Sequence, residues 1–370
     1  MLRQPGSPLL LAAAGACLAL ALLSAPALAD NGVGCINDDG MYRDFIVAWK
    51  LPDGAEYVYF DPYMQAPQKS QYTLDSSTEG FLANTLNQVY SADKDKVGYV
   101  QYNDEWPDDH KHGTGGHAKG FFGFDENQGF WLQHSVPRFP EFVSKGYPGL
   151  PEEEFTYGQH FLCITMGLND MNSLANQILT AYAWVYEQNI PEDFPAIQNL
   201  RLLASGERDD NGGSNTFSFS SIPFWNTYFD TFYKAPSWGK YLYEDFVEVQ
   251  YQDDFTWETW MNGINPDPSF CAGDSDGHLY NSTNIRVLKI GDTKFKETQD
   301  HSKWGISTGP RNQRLVCLGD INRQESQNNR GGGTTCLANS ALWQYLSSAI
   351  QDQDCCCDRG SCNAYGWCVN

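Results

Sequence analysis

The sequence predicts a mixed α/β protein made of two similar halves, and three observations support this prediction. Strand-like apolar and aromatic runs are mixed with segments of helical spacing along the whole chain. The length of 370 residues, 41% of them hydrophobic, favours two subdomains over one. The pattern His-x-Lys occurs twice, as His117/Lys119 and His301/Lys303. Because the chain has only seven histidines, the repeat indicates two divergent copies that meet at one site.

Residues 1–29 have the features of a signal peptide. Arg3 supplies the positive charge, an uncharged apolar stretch runs from Leu9 to Leu23, and Ala27-Leu28-Ala29 matches a cleavage site. A membrane anchor is the alternative, but the stretch is short for a span and no second one follows. We therefore expect a chain without a membrane span that enters the secretory pathway and reaches the lysosome or the cell exterior.

The first half is expected to span residues 30–208. A turn at Pro52-Asp-Gly54 joins its first two strands, and Leu82, Leu86 and Val89 lie on one face of a helix. Further periodic segments predict strands at 97–102, 120–124, 129–136 and 161–166 and a helix at 170–186. The glycine-rich segment 113–120 leads His117 and Lys119 into one of these strands.

The second half is expected to span residues 209–350, because the segment 204–215 is polar and rich in turn-forming residues. It begins with an aromatic segment at 216–260. Strands are predicted near 285–290 and 314–318 and a helix near 337–350. Residues 351–370 form a separate cysteine-rich tail.

The cysteine count fits an oxidising compartment. Without Cys17, ten cysteines remain, an even number that suits five disulfides. The tail contains Cys-Cys-Cys at 355–357, but it lacks the paired spacing and the nearby histidine of a zinc site. Asn281 begins the one Asn-x-Ser/Thr sequence that we expect to carry a glycan, on a surface loop.

The net charge of −22 is unfavourable for binding nucleic acid at neutral pH. At acid pH the repulsion weakens, because histidines gain charge and some of the 46 acidic side chains lose it. An acidic protein can also contain a locally basic cleft. The charge is therefore compatible with a nucleic-acid enzyme that works in acid.

The two His-x-Lys units contain the groups that phosphodiester cleavage requires. Residues two apart on a strand point to the same face, so an imidazole and an ammonium would share one space. A neutral imidazole can attack phosphorus, a protonated one can donate to the leaving oxygen, and lysines can stabilise the phosphoryl oxygens. No cofactor and no metal are needed for this scheme, and a bell-shaped pH profile on the acid side is expected.

Several longer motifs resemble the deoxyribonuclease II family. They cover most of the mature chain and comprise Tyr102-Asn-Asp104, His117-Ala-Lys119-Gly120, 129–137, 300–304, Gly319-Asp-Ile-Asn-Arg323 and Arg330-Gly-Gly-Gly333. The resemblance implies a phospholipase D-like fold in which two α/β sandwich halves, related by a pseudo-dyad, form one cleft. It also implies metal-independent cleavage of double-stranded DNA to 3′-phosphate and 5′-hydroxyl ends. His301 would be the nucleophile and His117 the acid and base.

The resemblance implies supporting residues as well. The superfamily's Gly-x-x-Asn is present as Gly319 to Asn322, whereas His134 stands where the first half would have its asparagine, so both side chains are expected to bind phosphate. The superfamily's acidic residue five positions after each lysine is absent, since position 124 is Phe and position 308 is Thr. The implied disulfides are Cys35 with Cys163, Cys317 with Cys336, and Cys271 with one of the cysteines at 355–357.

Other interpretations stay open at this stage. His134 could be a core histidine, and His110, His112 and His117 with Asp108 and Asp109 could bind a transition metal. A phospholipase D-type phosphodiesterase would use the same histidines on lipid headgroups. A catalytically inactive secreted DNA-binding protein or toxin is the non-enzyme alternative. The sequence does not distinguish a monomer from a homodimer.

Overall fold

Two large β-sheets form the frame of the protein, one from each half of the chain. The computed structural model describes residues 32–356 except 210 and 276. The predicted signal peptide and the tail from residue 357 lie outside the described residues. In the described part of the chain, no helix has the length and apolar character needed to cross a membrane.

The first half contains, in chain order, β1 (Cys35–Ile36), β2 (Tyr42–Arg43), β3 (Phe45–Lys50), β4 (Glu56–Phe60), β5 (Gln68–Thr73), α1 (Phe81–Tyr90), β6 (Gly98–Tyr102), β7 (Gly120–Phe124), β8 (Gln128–His134), β9 (Gln159–Gly167), α2 (Leu168–Thr180), β10 (Val185–Asn189) and α3 (Gln198–Ala204). β1 and β2 pair with each other. The other strands form one antiparallel sheet in the order β10-β6-β7-β8-β9-β3-β4-β5.

The second half contains β11 (Ser214–Ser220), β12 (Tyr228–Lys234), α4 (Glu248–Tyr251), β13 (Phe255–Glu258), β14 (Ser282–Ile290), β15 (Thr293–Lys296), β16 (Trp304–Ser307), β17 (Leu315–Gly319), β18 (Gly332–Ala338), α5 (Ser340–Ala349) and β19 (Ile350–Gln353). Its sheet has the order β11-β12-β18-β17-β16-β13-β14-β15, and β19 pairs with β14. A π-helical turn, Tyr243–Val247, precedes α4. Short 3-10 turns lie at Val143–Lys145, Glu152–Glu154, Pro236–Trp238, Glu297–Gln299 and Glu325–Asn329.

The two sheets repeat one strand order. The run β6-β7-β8-β9-β3-β4 matches β13-β16-β17-β18-β12-β11, and every neighbouring pair in both runs is antiparallel. One His-x-Lys unit stands directly before β7 and the other directly before β16, which are equivalent strands. The protein therefore has the mixed α/β, phospholipase D-like fold that the sequence predicts. The boundaries at residues 208/209 and 350/351 stay a prediction.

A core that draws on both halves lies between the two sheets. Phe45 of β3 meets Phe229 of β12 with ring centroids 5.6 Å apart, and Trp49 meets Tyr345 of α5 at 6.4 Å. Apolar side chains of α2 and α5 belong to the same buried cluster. α1 covers the other face of the first sheet, and the segment that leads into α4 covers the other face of the second. Apolar side chains of both halves are thus buried in one cluster, which holds the halves together.

The helix α2 is shorter than the apolar spacing of the sequence predicts. The spacing predicts a helix over 170–186, but α2 ends at Thr180 and Val185 begins β10. Tyr182 adopts a positive φ of 59°, and its carbonyl accepts a hydrogen bond from the Gly116 amide (3.0 Å). The chain leaves the helix because Val185 joins the edge of the first sheet through β6 and because the turn supports the segment before His117.

Three disulfides join described cysteines. They are Cys35–Cys163, Cys317–Cys336 and Cys271–Cys356, the pairs that the resemblance implied. Cys35–Cys163 closes a sequence separation of 128 residues, and Cys317–Cys336 closes 19. Since loop-closure entropy grows with loop length, the first bond should stabilise the protein more.

We therefore expect the double variant Cys35→Ala/Cys163→Ala to lose about 2–5 kcal/mol of unfolding free energy. The variant Cys317→Ala/Cys336→Ala is the matched control and should lose less. Guanidinium unfolding under non-reducing conditions measures both values. A larger loss in the control would contradict the entropic argument.

Candidate active site at the junction of the two sheets

Each His-x-Lys unit is held by a backbone contact from the other half. The amide of His117 donates to the carbonyl of Gly331 (2.8 Å), and the amide of His301 donates to the carbonyl of Gly158 (2.8 Å). The sequence leads His117 and Lys119 into a strand at 120–124, which is β7, and the structure places both units in the extended segments just before β7 and β16. The backbone amides of His117 and His301 lie outside the strands, so they are free to form hydrogen bonds with carbonyls of the other half.

In the first unit, Lys119 is paired with a buried carboxylate. Its Nζ donates to Oδ1 of Asp104, and Arg330 donates to Oδ2 of the same carboxylate (3.0 Å). Burial alone would raise the pKa of Asp104, but Lys119, His117 and Arg330 hold it well below its usual range. Asp104 thus stays ionised in acid and fixes Lys119 beside His117.

The geometry around His117 defines which ring nitrogen is available for chemistry. Nδ1 lies 2.6 Å from the carbonyl oxygen of Asp320. A carbonyl only accepts, so Nδ1 carries a proton and the lone pair of the neutral ring is on Nε2. Nε2 lies 4.0 Å from Oδ2 of Asp104. Burial and the charge of Lys119 lower the pKa of His117 well below its usual value, and Asp104 opposes that shift.

The second unit has aromatic rather than acidic neighbours. The ring of His301 stacks on Tyr157 (centroids 4.4 Å apart) and meets Trp260 edge-on at 4.0 Å. Its Nδ1 is 3.4 Å from the side-chain amide of Gln159. Burial, followed by the charges of Lys303 and Lys119, lowers the pKa of His301 to about 2. The imidazole is therefore neutral across the acid range.

Lys303 also differs from its counterpart. Its Nζ donates to the carbonyl of His301 (2.5 Å), and no carboxylate in the described residues forms an ion pair with it. Burial and the nearby charge of Lys119 lower the pKa of Lys303 to about 7. Because Lys119 acts on both Lys303 and His301, the two units lie within electrostatic reach of each other.

Strand register explains the difference between the two units. Tyr102 pairs with Gly120 in the first sheet, and Glu258 pairs with Trp304 in the second. Two residues further along, Asp104 and Trp260 therefore occupy equivalent positions. A carboxylate in one half is replaced by an indole in the other.

His134 and Asn322 are placed differently from each other. The amide of His134 donates to the carbonyl of Lys119, as the amide of Gly319 does to that of Lys303, so His134 is the register equivalent of Gly319 and not of Asn322. The His134 ring is fully buried, packs on Phe139, and accepts the Val136 amide at Nδ1. Asn322 is buried two residues after Asp320, and its Oδ1 has no hydrogen-bond partner in the described part of the chain.

Sequence reasoning did not single out several residues that build this site. His160 accepts the Lys303 amide at Nδ1 (3.1 Å), although the two are far apart in sequence. Gln159, Tyr157 and Trp260 likewise contact His301 from separate segments. Asp104 and Arg330 belong to two of the family motifs, but the motifs did not indicate that these residues form ion pairs beside His117.

The three histidines proposed as metal ligands are engaged in other contacts. His112 stacks on Trp184 with centroids 3.8 Å apart, His110 stacks on Trp106 at 4.7 Å, and Nδ1 of His117 is bonded to Asp320. Among the described residues, no three His, Cys, Asp or Glu side chains form a group that could hold a metal ion.

The predicted glycan acceptor, Asn281, lies just before β14 and is half-buried. Its side-chain Nδ2 donates to Asp254 (2.9 Å), and its Oδ1 accepts the Ala272 amide. Glycosylation of Asn281 stays a prediction.

The repeated sheet, with one His-x-Lys unit before an equivalent strand in each copy, defines the phospholipase D-like class of proteins. Comparison with known proteins narrows the class. The family model for deoxyribonuclease II matches residues 34–356. The chain belongs to the deoxyribonuclease II family, and it is an endonuclease of that type.

Individual relatives agree with this assignment along nearly their whole length. Cell-death-related nuclease 7 of Caenorhabditis elegans is 34% identical over 88% of this chain and 89% of its own. Plancitoxin-1 of Acanthaster planci is 30% identical over 92% of this chain and 97% of its own. Deoxyribonuclease-2-alpha of Rattus norvegicus is 29% identical over 92% of this chain and 99% of its own.

Proposed function

We propose that the protein is an acid endodeoxyribonuclease that hydrolyses double-stranded DNA through a phosphohistidine on His301, without a metal ion. The products are 3′-phosphate and 5′-hydroxyl ends. The observation that carries the proposal is the asymmetry of the two units: Nε2 of His117 lies 4.0 Å from the Asp104 carboxylate, whereas no described carboxylate forms an ion pair with His301. The two steps of the reaction need two histidines in different protonation states.

His301 is the nucleophile in this scheme. Its pKa is lowered by burial and by Lys303, Lys119 and Lys50, with no carboxylate acting in the opposite direction. The scheme uses the tautomer in which Nδ1 carries the proton and Nε2 keeps the lone pair. Nδ1 lies 3.4 Å from the side-chain nitrogen of Gln159, a contact too long to fix the opposite tautomer. Nε2 attacks phosphorus as the bond to the 5′ oxygen breaks. The result is a covalent phosphoramidate that holds the upstream DNA fragment through its 3′ oxygen, while the downstream fragment leaves.

His117 is the acid and then the base. A bound phosphodiester brings negative charge, which together with Asp104 raises the pKa of His117 in the complex. Protonated Nε2 gives its proton to the departing 5′ oxygen. A water then attacks phosphorus and gives a proton to Nε2, the phosphorus–nitrogen bond breaks, and His301 is released with the 3′-phosphate.

Lys119 and Lys303 stabilise the phosphoryl oxygens in both steps, since each ammonium is nearly buried where its charge acts strongly. Asn322, whose buried Oδ1 has no hydrogen-bond partner among the described residues, belongs to the proposed phosphate-binding set. His134 is proposed as a further member through its Nε2, which likewise has no partner among the described residues. DNA is the proposed partner. The disulfides fit a protein of the secretory pathway, and lysosomal or extracellular location is our proposal for it.

Plasmid cleavage should survive excess EDTA between pH 4 and 6, because the two lysines supply the charge that metal-dependent nucleases take from a divalent ion. A magnesium-dependent nuclease in the same buffer is the control and should stop. Loss of activity in EDTA that a divalent ion restores would contradict the mechanism.

The rate should fall as the pH rises through about 7. Burial lowers the pKa of Lys303 to about 7, so its ammonium is present below that pH and lost above it. Burial also raises the pKa of Asp320 to about 7, which adds a negative charge over the same range. The variant Lys303→Arg separates the contributions of Lys303 and Asp320 to the pH dependence, because a guanidinium stays charged over this pH range.

For Lys303→Arg we expect a lower kcat/KM but an alkaline limb at higher pH, measured on plasmid DNA from pH 4 to 9. Lys289→Arg, at an exposed position of β14, is the control and should keep the wild-type profile. An unchanged alkaline limb in Lys303→Arg would assign the transition to Asp320 or His117 instead.

A further inference from the structure

Two buried lysines outside the His-x-Lys units occupy equivalent positions in the two sheets. Lys50 ends β3 and pairs with Gln159, the first residue of β9. Lys234 ends β12 and pairs with Gly332, the first residue of β18. Both side chains are almost completely buried. Neither forms a salt bridge with a described carboxylate, although a buried ammonium normally needs one.

Lys50 donates to three backbone carbonyls instead. Its Nζ lies 2.8 Å from the oxygen of Leu51, 2.7 Å from that of Gly54 and 2.7 Å from that of Phe155. The last contact holds the segment 155–158. That segment supplies the Gly158 carbonyl that binds the His301 amide, and it carries the Tyr157 ring that stacks on His301.

Lys234 makes the equivalent contacts in the second half. Its Nζ lies 3.2 Å from the oxygen of Gln327, 2.9 Å from that of Asn328 and 2.6 Å from that of Arg330. These bonds hold the segment that leads to Gly331. The Gly331 carbonyl binds the His117 amide, and the Arg330 guanidinium reaches Asp104.

We propose that Lys50 and Lys234 are a matched pair of positioning residues that act crosswise, each fixing the catalytic histidine that the opposite half supplies. Lys50 of the first half positions His301, and Lys234 of the second half positions His117. This inference rests on the proposed roles of the two histidines. It adds a function for each lysine that the His-x-Lys chemistry itself does not require.

The choice of lysine has a physical reason. An ammonium has three donors and no acceptor, so one side chain can bind three carbonyls that converge on a point. An apolar residue there would remove the ammonium donor from all three carbonyls in a buried place, although the oxygens of Phe155 and Gln327 also accept the amides of Gly54 and Arg330. Misplacement of a reacting group by about 1 Å can cost on the order of 10²-fold in rate, so a small shift of either segment should be visible in catalysis.

The test compares Lys50→Met and Lys234→Met on plasmid DNA and on an oligonucleotide whose 5′ leaving group is a nitrophenolate. Methionine keeps the stem and removes the donors. Lys234→Met disturbs the acid, so we expect a loss on the order of 10²-fold on DNA and a much smaller one on the activated substrate. Lys50→Met disturbs the nucleophile, so the loss should be similar on both substrates.

A purely structural role would lower activity equally on both substrates in both variants, and that result would overturn the proposal. Lys69→Met and Lys289→Met, at exposed positions of the same two sheets, are the matched controls and should keep wild-type rates. His117→Ala is measured in parallel, and Lys234→Met must show the same substrate dependence as His117→Ala. If His301→Ala, and not His117→Ala, showed the smaller loss on the activated substrate, the proposed roles of the two histidines would be wrong. The crosswise pairing would then stand only if Lys50→Met, and not Lys234→Met, also showed the smaller loss on that substrate.

Folding of each variant is checked by circular dichroism and thermal unfolding. Where a methionine variant does not fold, Lys50→Gln or Lys234→Gln replaces it, because glutamine keeps two donors on a shorter side chain. The glutamine variant should show a partial loss with the same substrate dependence. Wild-type rates of a folded glutamine variant on both substrates would overturn the proposal.

Discussion

The His301→Ala variant is expected to lose DNA cleavage by a factor on the order of 10⁴ or more, because it removes the atom that attacks phosphorus. The ring is held between Tyr157 and Trp260, and no other described imidazole shares that contact. Wild-type enzyme is mixed with DNA labelled at its 5′ end and quenched rapidly in alkali, which preserves an acid-labile phosphohistidine. The upstream fragment stays bound through its 3′-phosphate, so labelled protein should be trapped. The variant should trap none.

His278→Ala is a suitable control for that variant. His278 bonds to Asp274 and stacks on Phe270, away from both His-x-Lys units. Its replacement should leave cleavage and trapping unchanged. If His301→Ala still formed the labelled adduct, the nucleophile would be elsewhere and the proposed first step would be wrong.

The His117→Ala variant should lose about 10²–10⁴-fold on ordinary DNA, since it removes the general acid. The loss should shrink strongly on a substrate with a nitrophenolate at the 5′ position, because that leaving group departs without a proton. kcat/KM on the two substrates, measured at the pH optimum of the wild type, gives the comparison. The carbonyl of Asp320 and the carboxylate of Asp104 orient and charge His117 for this step.

Lys119→Ala provides the contrast for His117→Ala. Lys119 stabilises the phosphoryl charge, which is the same for both leaving groups, so its removal should slow both substrates equally. If instead His301→Ala recovered activity on the nitrophenolate substrate and His117→Ala did not, the two histidine roles would be exchanged. Full activity of both histidine variants on DNA would place the site elsewhere.

The local pattern of the sequence was sufficient for much of the fold. Alternating and helical apolar spacing predicted α1, the strands β7, β14 and β17 and others in the first half, since these periods reflect which side of a single element is buried. The family motifs were sufficient to propose both histidines and both lysines as candidate site residues. The same local spacing extended α2 too far, because the residues after Thr180 continue the helical period while their backbone pairs with β6.

The sequence by itself determined the repeated His-x-Lys units, the fold class and the family. The tertiary structure alone decided that Asp104 pairs with Lys119 while Trp260 packs on His301, and that His134 aligns with Gly319 rather than with Asn322. These relations depend on strand register, which is set by contacts between segments distant in the chain. No spacing within one segment encodes which neighbour the register will place beside a catalytic group.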